Sequence, residues 1–131
     1  MMKKIQVKTG REELNDITGQ VQAAVTEAGL EDGLCHLFCP HTTCALAINE
    51  NADPSVKSDV LAGLAKVIDD AYPYRHGEGN SPAHIKSVLT GPSLTVFVED
   101  GRLQLGTWQG LYLCEYDGPR SRQVWIKTSV T

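Results

Sequence analysis

The sequence predicts an α+β fold, with a largely antiparallel, β-sandwich-like core, two main helices and one short helix. Alternating apolar and polar residues fill the last third of the chain, which is typical of half-buried strands. Earlier, Val56, Val60 and Leu64 recur every four residues, as they do on one face of a helix. Because short turn sequences separate the later strands, we expect these strands to be antiparallel.

Strands are predicted wherever short apolar segments lie between turn residues: about 3–9, 34–39, 45–49, 94–98, 103–105, 111–116 and 123–128. Asp100-Gly101 is a type I′ hairpin signal, because both residues tolerate positive φ. Residues 106–110 interrupt a strand, as a bulge or a corner does. Residues 117–119 predict another turn.

Each predicted helix has start and stop signals. Asn15 or Asp16 caps the first helix and Gly29 ends it. Asp53 caps the second, whose apolar stripe runs through Val56, Val60, Leu64 and Ile68. This second helix is expected to end near Tyr72-Pro73. Ser81 caps the short third helix, with Pro82 at its first position and Gly91-Pro92 as its stop.

The overall composition limits the class of protein. The 131 residues suit one domain, residues 1–131, with a core of its own. A net charge of −4 argues against nucleic-acid binding, which usually requires a basic surface. Charged residues follow the basic N-terminus where a signal peptide needs apolar ones, and no apolar stretch is long enough for a bilayer. We therefore expect a cytoplasmic protein without a membrane partner.

The four cysteines are interpreted as free thiols, because a domain of this length has little need of disulfides. Cys35, Cys39 and Cys44 have His36 and His41 between them, so a metal cluster is one interpretation. Alternation along a strand favours buried packing residues instead. Nothing in the sequence indicates a cysteine with a lowered pKa.

Residues 76–86, HGEGNSPAHIK, are the most unusual stretch of the chain. They hold two histidines, a carboxylate, an amide and a lysine, with almost no apolar side chain before Ile85. Flexible backbone that carries such side chains into a helix start indicates a site. The alternative is an ordinary polar loop.

His41, His76 and His84 are candidate metal ligands. Imidazole is a common ligand for zinc, and a catalytic zinc site often has three protein ligands and one open position. His76 and His84 lie close enough in sequence to share one loop, and His41 follows Pro40 at a strand end. Their spacing matches no compact zinc signature, so the three histidines could also be unrelated polar residues.

The same region is suited to anions. A helix that starts at Ser81-Pro82 presents free N–H groups and the positive end of its dipole. Lys86 and Arg75 add charge, and Thr42 and Thr43 add hydroxyl groups beside His41. The alternative is that these residues only form a turn and a cap.

Carboxylates and the later strands supply further candidates. Glu50 and Glu78 could act as a general base or bind Mg²⁺, whereas Glu115 on an alternating strand is expected to face solvent. Trp108 could stack on a planar heterocycle, with Gln109 at its edge, although a tryptophan is more often a core or interface residue. Arg120 could bind a phosphate group or a neighbouring subunit.

Three blocks of the chain together resemble one known family. They are HTT (41–43) with AINENADP (47–54), HGEGN (76–80) with HIK (84–86), and GTWQG (106–110) with EYDGPR (115–120). Each block alone is weak, but the set in this order is specific and spans roughly residues 35–127. The chain is similar to the YjbQ-like family, also called the secondary thiamine-phosphate synthase enzyme family.

The resemblance implies an α+β homotrimer with a histidine-rich, metal-binding cleft near a subunit boundary. It carries over His41, His76 and His84 as the motif histidines, with Glu50, Glu78 and Asn80 beside them. It also implies a weak formation of thiamine phosphate from a pyrimidine pyrophosphate and a thiazole phosphate, as a main or a side activity. Cys44 and Phe97 are individual to this chain and fall outside the ligand-like positions.

We therefore predict a metal-assisted enzyme for a phosphorylated small molecule, with thiamine-phosphate synthase activity as the specific hypothesis. A divalent metal, zinc or magnesium, would be held by His41, His76 and His84. The catalytic candidates are Glu50, Glu78 and His41, and the phosphate-binding candidates are Thr42, Asn80, Ser81, Lys86 and Arg120. A metal-dependent hydrolase and a non-catalytic phosphate- or metal-binding module remain alternatives. All three hypotheses require the three histidines to meet at one accessible point.

Overall fold

Two antiparallel sheets and three helices make up the fold of residues 2–131, the part of the chain that the computed structural model describes. The elements are β1 (Lys3–Lys8), β2 (Glu13–Asp16), α1 (Thr18–Ala28), β3 (Gly33–Phe38), β4 (Cys44–Glu50), α2 (Pro54–Val67), α3 (Ser81–Thr90), β5 (Ser93–Glu99), β6 (Arg102–Leu103), β7 (Gln109–Glu115) and β8 (Ser121–Val130). The predicted α+β class is confirmed.

The larger sheet has the strand order β1-β8-β3-β5-β6, and the smaller sheet has the order β2-β7-β4. β8 lies between β1 and β3, with Arg122 opposite Val7 and Ile126 opposite Leu37. β7 lies between β2 and β4. The chain thus passes from the smaller sheet to the larger one three times: between β2 and β3, between β4 and β5, and between β7 and β8.

The main core fills the space between the sheets and under α1. Leu111 and Leu113 of β7 face this core together with Val124 of β8 and Val21 of α1, all of them fully buried. The alternate residues of β7 face the other way, where Tyr112 joins a second apolar cluster under α3. β7 is therefore covered on both faces, which is why nearly every residue of it is buried.

The α2 helix is less buried than its sequence predicts. The expected stripe of Val56, Val60, Leu64 and Ile68 is confirmed only in part. Leu64 packs on the second apolar cluster beside Leu61, and Ile68 is buried just beyond the helix end, but Val60 is exposed and α2 itself has no fully buried residue. The helix ends at Val67, before the expected stop. No helix within residues 2–131 is long and apolar enough to cross a membrane.

Helix caps follow the sequence in part. Oδ1 of Asp53 accepts the Ser55 N–H at 2.9 Å, as predicted. The expected Ser81 cap is wrong, because α3 begins at Ser81 and its N-cap residue is Asn80. Ile17 is the N-cap residue of α1, while Asp16 accepts the Thr18 N–H from one position earlier.

Turn residues behave as expected, and one strand was missed. Asp100 and Gly101 have φ of 52° and 74°, which confirms the hairpin turn. Gly29 ends α1 with φ of 69°. The strand β2 was not predicted, because its four residues, ELND, do not alternate in polarity. Pairing with β7 defines this strand.

Candidate functional site

A cavity of about 360 Å³ opens where three parts of the chain meet. The parts are the connection between β3 and β4, the segment that enters α3, and the turn between β7 and β8. We call it the histidine cavity; its lining residues are Pro40, His41, Thr42, Thr43, His76, Glu78, Asn80, His84, Arg120 and Arg122. All three candidate histidines line it, as the functional hypotheses require.

His76 and His84 form one wall of the cavity. Their rings lie edge to face, with centroids 5.2 Å apart. His84 follows the α3 start, and His76 precedes it within a turn closed by the Gly79 N–H to the His76 carbonyl oxygen at 3.3 Å. Oε1 of Glu78 lies 3.9 Å from Nε2 of His76, and the Glu78 side chain is mostly exposed. This wall therefore contributes two accessible imidazoles and one solvated carboxylate.

His41 is held differently, by backbone. The Gln123 backbone N–H donates a hydrogen bond to Nε2 of His41 at 2.9 Å. Burial and the nearby Arg122 guanidinium lower the pKa of His41, so its neutral form is favoured. A neutral imidazole that accepts through Nε2 carries its proton on Nδ1. His41 is thus arranged to donate a hydrogen bond.

This arrangement bears directly on the expected metal centre. A metal ligand must offer a lone pair, but the Nε2 lone pair of His41 is already taken by the Gln123 N–H. No group of three or more His, Cys, Asp or Glu side chains within residues 2–131 has the arrangement of a metal site. The donor set therefore does not fit a three-histidine centre. The divalent metal stays a prediction.

Arg122 forms the cationic floor of the cavity. Its Nε and Nη2 donate to the two carboxylate oxygens of Glu115 at 2.7 and 2.6 Å, and Nη2 also donates to Oγ1 of Thr43 at 2.8 Å. Both members of this pair are buried. The guanidinium plane is thereby fixed, and Nη1 remains for an occupant of the cavity.

Glu115 corrects a sequence prediction. Expected to face solvent, it is fully buried and also accepts a hydrogen bond from the Thr9 hydroxyl at 2.6 Å. Burial alone would raise the pKa of Glu115, but the hydrogen bonds from Arg122 and Thr9 outweigh burial and lower it. Glu115 is therefore the counterion that keeps Arg122 charged and oriented.

Arg120 lies at the cavity rim, held by the turn that precedes β8. Its Nε donates to the Asp117 carbonyl oxygen at 2.7 Å, and Nη2 lies 3.1 Å from Oδ2 of Asp117. The same Oδ2 accepts from Nδ2 of Asn80 at 2.8 Å. Oδ1 of Asn80 is buried and accepts no hydrogen bond from residues 2–131. Asn80 thus has a spare acceptor, whereas its donor is occupied by Asp117.

Three of the predicted site residues lie outside the histidine cavity. Glu50 ends β4 and meets Tyr112, whose hydroxyl donates to the Glu50 carbonyl oxygen at 3.0 Å. Ser81 lines a shallow hollow on the outer side of His76 and His84. Lys86 lines a separate hollow of about 260 Å³ and is buried, with its Nζ 3.5 Å from a carboxylate oxygen of Glu12.

Comparison with known proteins assigns the chain to a family. The model of the family described as UPF0047 protein YjbQ-like matches residues 3–130. The chain belongs to this YjbQ-like family. It is 50% identical to the UPF0047 protein YugU of Bacillus subtilis, over 97% of this chain and 98% of that protein. It is 48% identical to a UPF0047 protein of Methanocaldococcus jannaschii, over 97% and 93%.

Solved structures of YjbQ-like proteins share the fold. A crystal structure from Clostridium acetobutylicum, titled an uncharacterized conserved protein of the YjbQ/UPF0047 family, superposes with a TM-score of 0.94. It is 48% identical in sequence and covers 97% of this chain and 99% of its own. A YjbQ-like protein of unknown function from Sulfolobus solfataricus gives a TM-score of 0.94 at 31% identity, covering 100% and 97%. These names state no activity.

Sequence reasoning missed Arg122, although this YjbQ-like chain contains a signal for it. Arg122, Val124 and Ile126 alternate along β8, and all three point to the core. A charge in phase with buried apolar residues requires a buried partner of opposite sign. Glu115 on β7 is this buried partner of Arg122.

The remaining candidates have structural positions of their own. Trp108 is 62% exposed and does not line the histidine cavity. Oε1 of Gln109 accepts the Gly106 N–H at 2.8 Å, so Gln109 closes its own turn. The prediction of free thiols is confirmed, because all four cysteines are buried and unpaired.

Nothing in the sequence indicated a cysteine with a lowered pKa, but in the structure the pKa of Cys39 is lowered. A hydrogen bond from the Cys44 thiol lowers the pKa of Cys39 despite its burial. Burial raises the pKa of Cys35 to about 11 and that of Cys114 to about 12. The contact with Cys44, which only the fold creates, therefore distinguishes Cys39.

Proposed function

We propose that this chain is an enzyme that binds a phosphorylated small molecule in the histidine cavity and transfers a group from it. The observation that carries the proposal is the fixed Arg122 guanidinium at the cavity floor, beside His41 and below Arg120. The cavity volume of about 360 Å³ is within the range of small-molecule sites. Formation of thiamine phosphate from its pyrimidine pyrophosphate and thiazole phosphate precursors is the specific reaction that we propose.

The charge distribution of the cavity favours an anion. Arg120 and Arg122 both line it, and Glu78 is the one carboxylate among the lining residues. Glu78 is mostly exposed, so its charge is screened by water. Arg122 offers Nη1 to an anion, because its Nε and Nη2 are bonded to Glu115 and Thr43, and these bonds already orient the guanidinium group. Little side-chain entropy is therefore lost when an anion binds to Arg122.

His41 supplies a neutral donor next to these cations. Its Nδ1–H can donate to a phosphate oxygen or to a leaving oxygen on which negative charge develops. Thr42 and Thr43 border the same space, and the Thr43 hydroxyl is oriented by the bond that it accepts from Arg122. In our proposal, this group of donors stabilises departing pyrophosphate.

His76 and His84 face the proposed anion from the opposite wall. An imidazole that reaches the substrate can act as a general acid or base, and Oε1 of Glu78 lies 3.9 Å from Nε2 of His76. The spare acceptor of Asn80 suits an amino or hydroxyl group of the substrate.

The proposal is tested by pyrophosphate binding and by turnover. Purified protein is titrated with pyrophosphate, and the two thiamine phosphate precursors are then supplied with and without zinc or magnesium while thiamine phosphate is measured. We expect Arg120→Gln to weaken pyrophosphate binding by about 10- to 100-fold, the range for one lost charged hydrogen bond. Arg102→Gln, on exposed β6 outside the cavity, is the matched control and should bind as wild type does.

The possible results distinguish a transferase from a hydrolase and from a non-catalytic binding module. Thiamine phosphate formation that falls with Arg120→Gln supports the transferase. Release of inorganic phosphate from phosphoesters without transfer would replace it with a hydrolase. Pyrophosphate binding without turnover would leave a binding module, and equal binding by the two variants would overturn the anion site itself.

We also propose that the chain assembles as a homotrimer. The support is the exposure of large apolar side chains: Val60 and Val67, two helical turns apart on α2, are 36% and 75% exposed, and Trp108 is 62% exposed. An interface between copies of the chain would cover such side chains. Light scattering should give three times the chain mass, and Val67→Glu should lower that mass. A monomer at micromolar concentration would refute the trimer.

A further inference from the structure

Two thiols lie against each other beneath the histidine cavity. The Sγ atoms of Cys39 and Cys44 are 3.3 Å apart, and both side chains are buried. Cys39 follows β3 directly and Cys44 begins β4. A disulfide bond is about 2.05 Å long, so bonding requires the two sulfurs to approach by only about 1.3 Å.

The backbone on both sides of this pair is anchored. The Cys39 N–H donates to the Pro92 carbonyl oxygen at 2.8 Å, and the Cys44 carbonyl oxygen accepts the Ser87 hydroxyl at 2.8 Å. The sulfurs are therefore kept close by the surrounding fold rather than by chance side-chain rotation. Cys35 and Cys114, which are equally buried, have no thiol within hydrogen-bond distance in residues 2–131.

The four residues between the cysteines all line the histidine cavity. They are Pro40, His41, Thr42 and Thr43. Thr43 also accepts the hydrogen bond from Nη2 of Arg122 at 2.8 Å. A covalent bond across the ends of this segment would shift a wall of the cavity and draw Thr43 away from Arg122.

We propose that Cys39 and Cys44 form a reversible disulfide that weakens anion binding in the histidine cavity. The oxidant is hydrogen peroxide. One thiol attacks the O–O bond of hydrogen peroxide and becomes a sulfenic acid, with release of one water. The second thiol attacks that sulfur and expels a second water, which leaves the disulfide. A dithiol reductant returns two electrons and two protons and restores both thiols.

The bond is detected by differential alkylation of the intact protein. Free thiols are blocked after peroxide treatment, the protein is reduced, and newly released thiols are labelled with a second reagent and located by mass spectrometry. We expect the second label on Cys39 and Cys44 alone, and its loss after dithiol treatment. Four thiols that remain free, or labels spread equally over Cys35 and Cys114, would overturn the proposal.

The effect on the cavity is measured by pyrophosphate titration of the reduced and oxidised forms. We expect oxidation to weaken binding by about tenfold, as the loss of one hydrogen bond would. Cys44→Ser should abolish this difference, whereas Cys35→Ala, the matched buried control, should keep it. Equal affinity of the two forms would overturn the regulatory effect.

The effect on affinity rests on the proposed function, but formation of the bond does not. If pyrophosphate binds neither form while the disulfide forms, the proposed function fails and the disulfide stands. If reduced protein binds pyrophosphate and no disulfide forms, the disulfide inference fails and the proposed function stands.

Discussion

The backbone N–H of Gln123, in β8, donates a hydrogen bond to Nε2 of His41 at 2.9 Å. This bond ties the first histidine of the cavity to the strand that carries Arg122. It fixes the imidazole as an acceptor on one side and a donor on the other.

We expect His41 to resist protonation. Its pKa is lowered from the ordinary 6.5 by burial and by Arg122, so the unfolded chain takes up a proton at a higher pH than the folded chain does. The free energy of unfolding should therefore fall as pH drops below 6.5 towards the folded pKa, and should rise with pH across that window. Histidine NMR titration gives the pKa, and His41→Asn should remove this part of the slope. An ordinary pKa for His41 would contradict the assignment.

The Arg122–Glu115 pair should show strong coupling. Glu115→Gln or Arg122→Met alone leaves a buried charge without its partner, which costs about 3–5 kcal/mol of unfolding free energy. Replacing both together should cost clearly less than the sum. Denaturant unfolding of the two single variants and the double variant measures the coupling. Additive effects would mean that the pair is not a unit.

The Arg122–Glu115 pair also makes the free energy of unfolding depend on pH in acid. Because the folded pKa of Glu115 lies below 4.5, its contribution to stability is present above that pH and is lost as pH falls through the folded value. Wild type should therefore lose unfolding free energy more steeply in acid than the double variant does. Unfolding curves at several pH values below 5 would measure the difference, and parallel curves would refute it.

Gly118 should tolerate no side chain. A Cβ atom there would lie 1.9 Å from the Gly10 carbonyl oxygen, so backbone must move. We expect Gly118→Ala to destabilise the protein by about 1–3 kcal/mol and to weaken pyrophosphate binding, since the turn carries Arg120. Gly77→Ala is the matched control, because a Cβ there meets nothing within 4 Å. Equal stability of the two variants would contradict the packing described.

Lys86 should matter little for anion binding. It was predicted to bind phosphate, but it lies in the neighbouring hollow beside Glu12. We expect Lys86→Met to keep the pyrophosphate affinity within about twofold and to leave stability unchanged or higher, because within residues 2–131 the buried ammonium group has one partner, a Glu12 carboxylate oxygen 3.5 Å away. Calorimetric titration measures the affinity. A large loss of pyrophosphate affinity would show that Lys86 contributes to anion binding after all.

The sequence was sufficient for the parts of the fold that local signals control. Asp53, Gly29 and the Asp100-Gly101 turn act through their own backbone, so their positions were predictable. The alternating strands followed their apolar period. β2 was not predictable in this way, because a partner strand 98 residues distant from Asn15 defines it.

The site was predicted where residues cluster in sequence and missed where the fold assembles it. His76, Glu78 and Asn80 share one segment, and the neighbouring motifs pointed to His41 and Arg120. Lys86 was assigned to the site because it is near His84 in sequence, yet the two side chains lie on different sides of α3.

The bonds between Thr9 and Arg120 have a consequence for biosynthesis. The Thr9 backbone N–H donates to the Arg120 carbonyl oxygen at 3.0 Å, and the Thr9 hydroxyl oxygen accepts the Arg120 N–H at 3.1 Å, across 111 positions of the chain. Almost the whole polypeptide must therefore leave the ribosome before these two hydrogen bonds can form. Until then the turn that carries Arg120 is not bonded to Thr9. The histidine cavity therefore stays incomplete until β8, the last strand, has been synthesised.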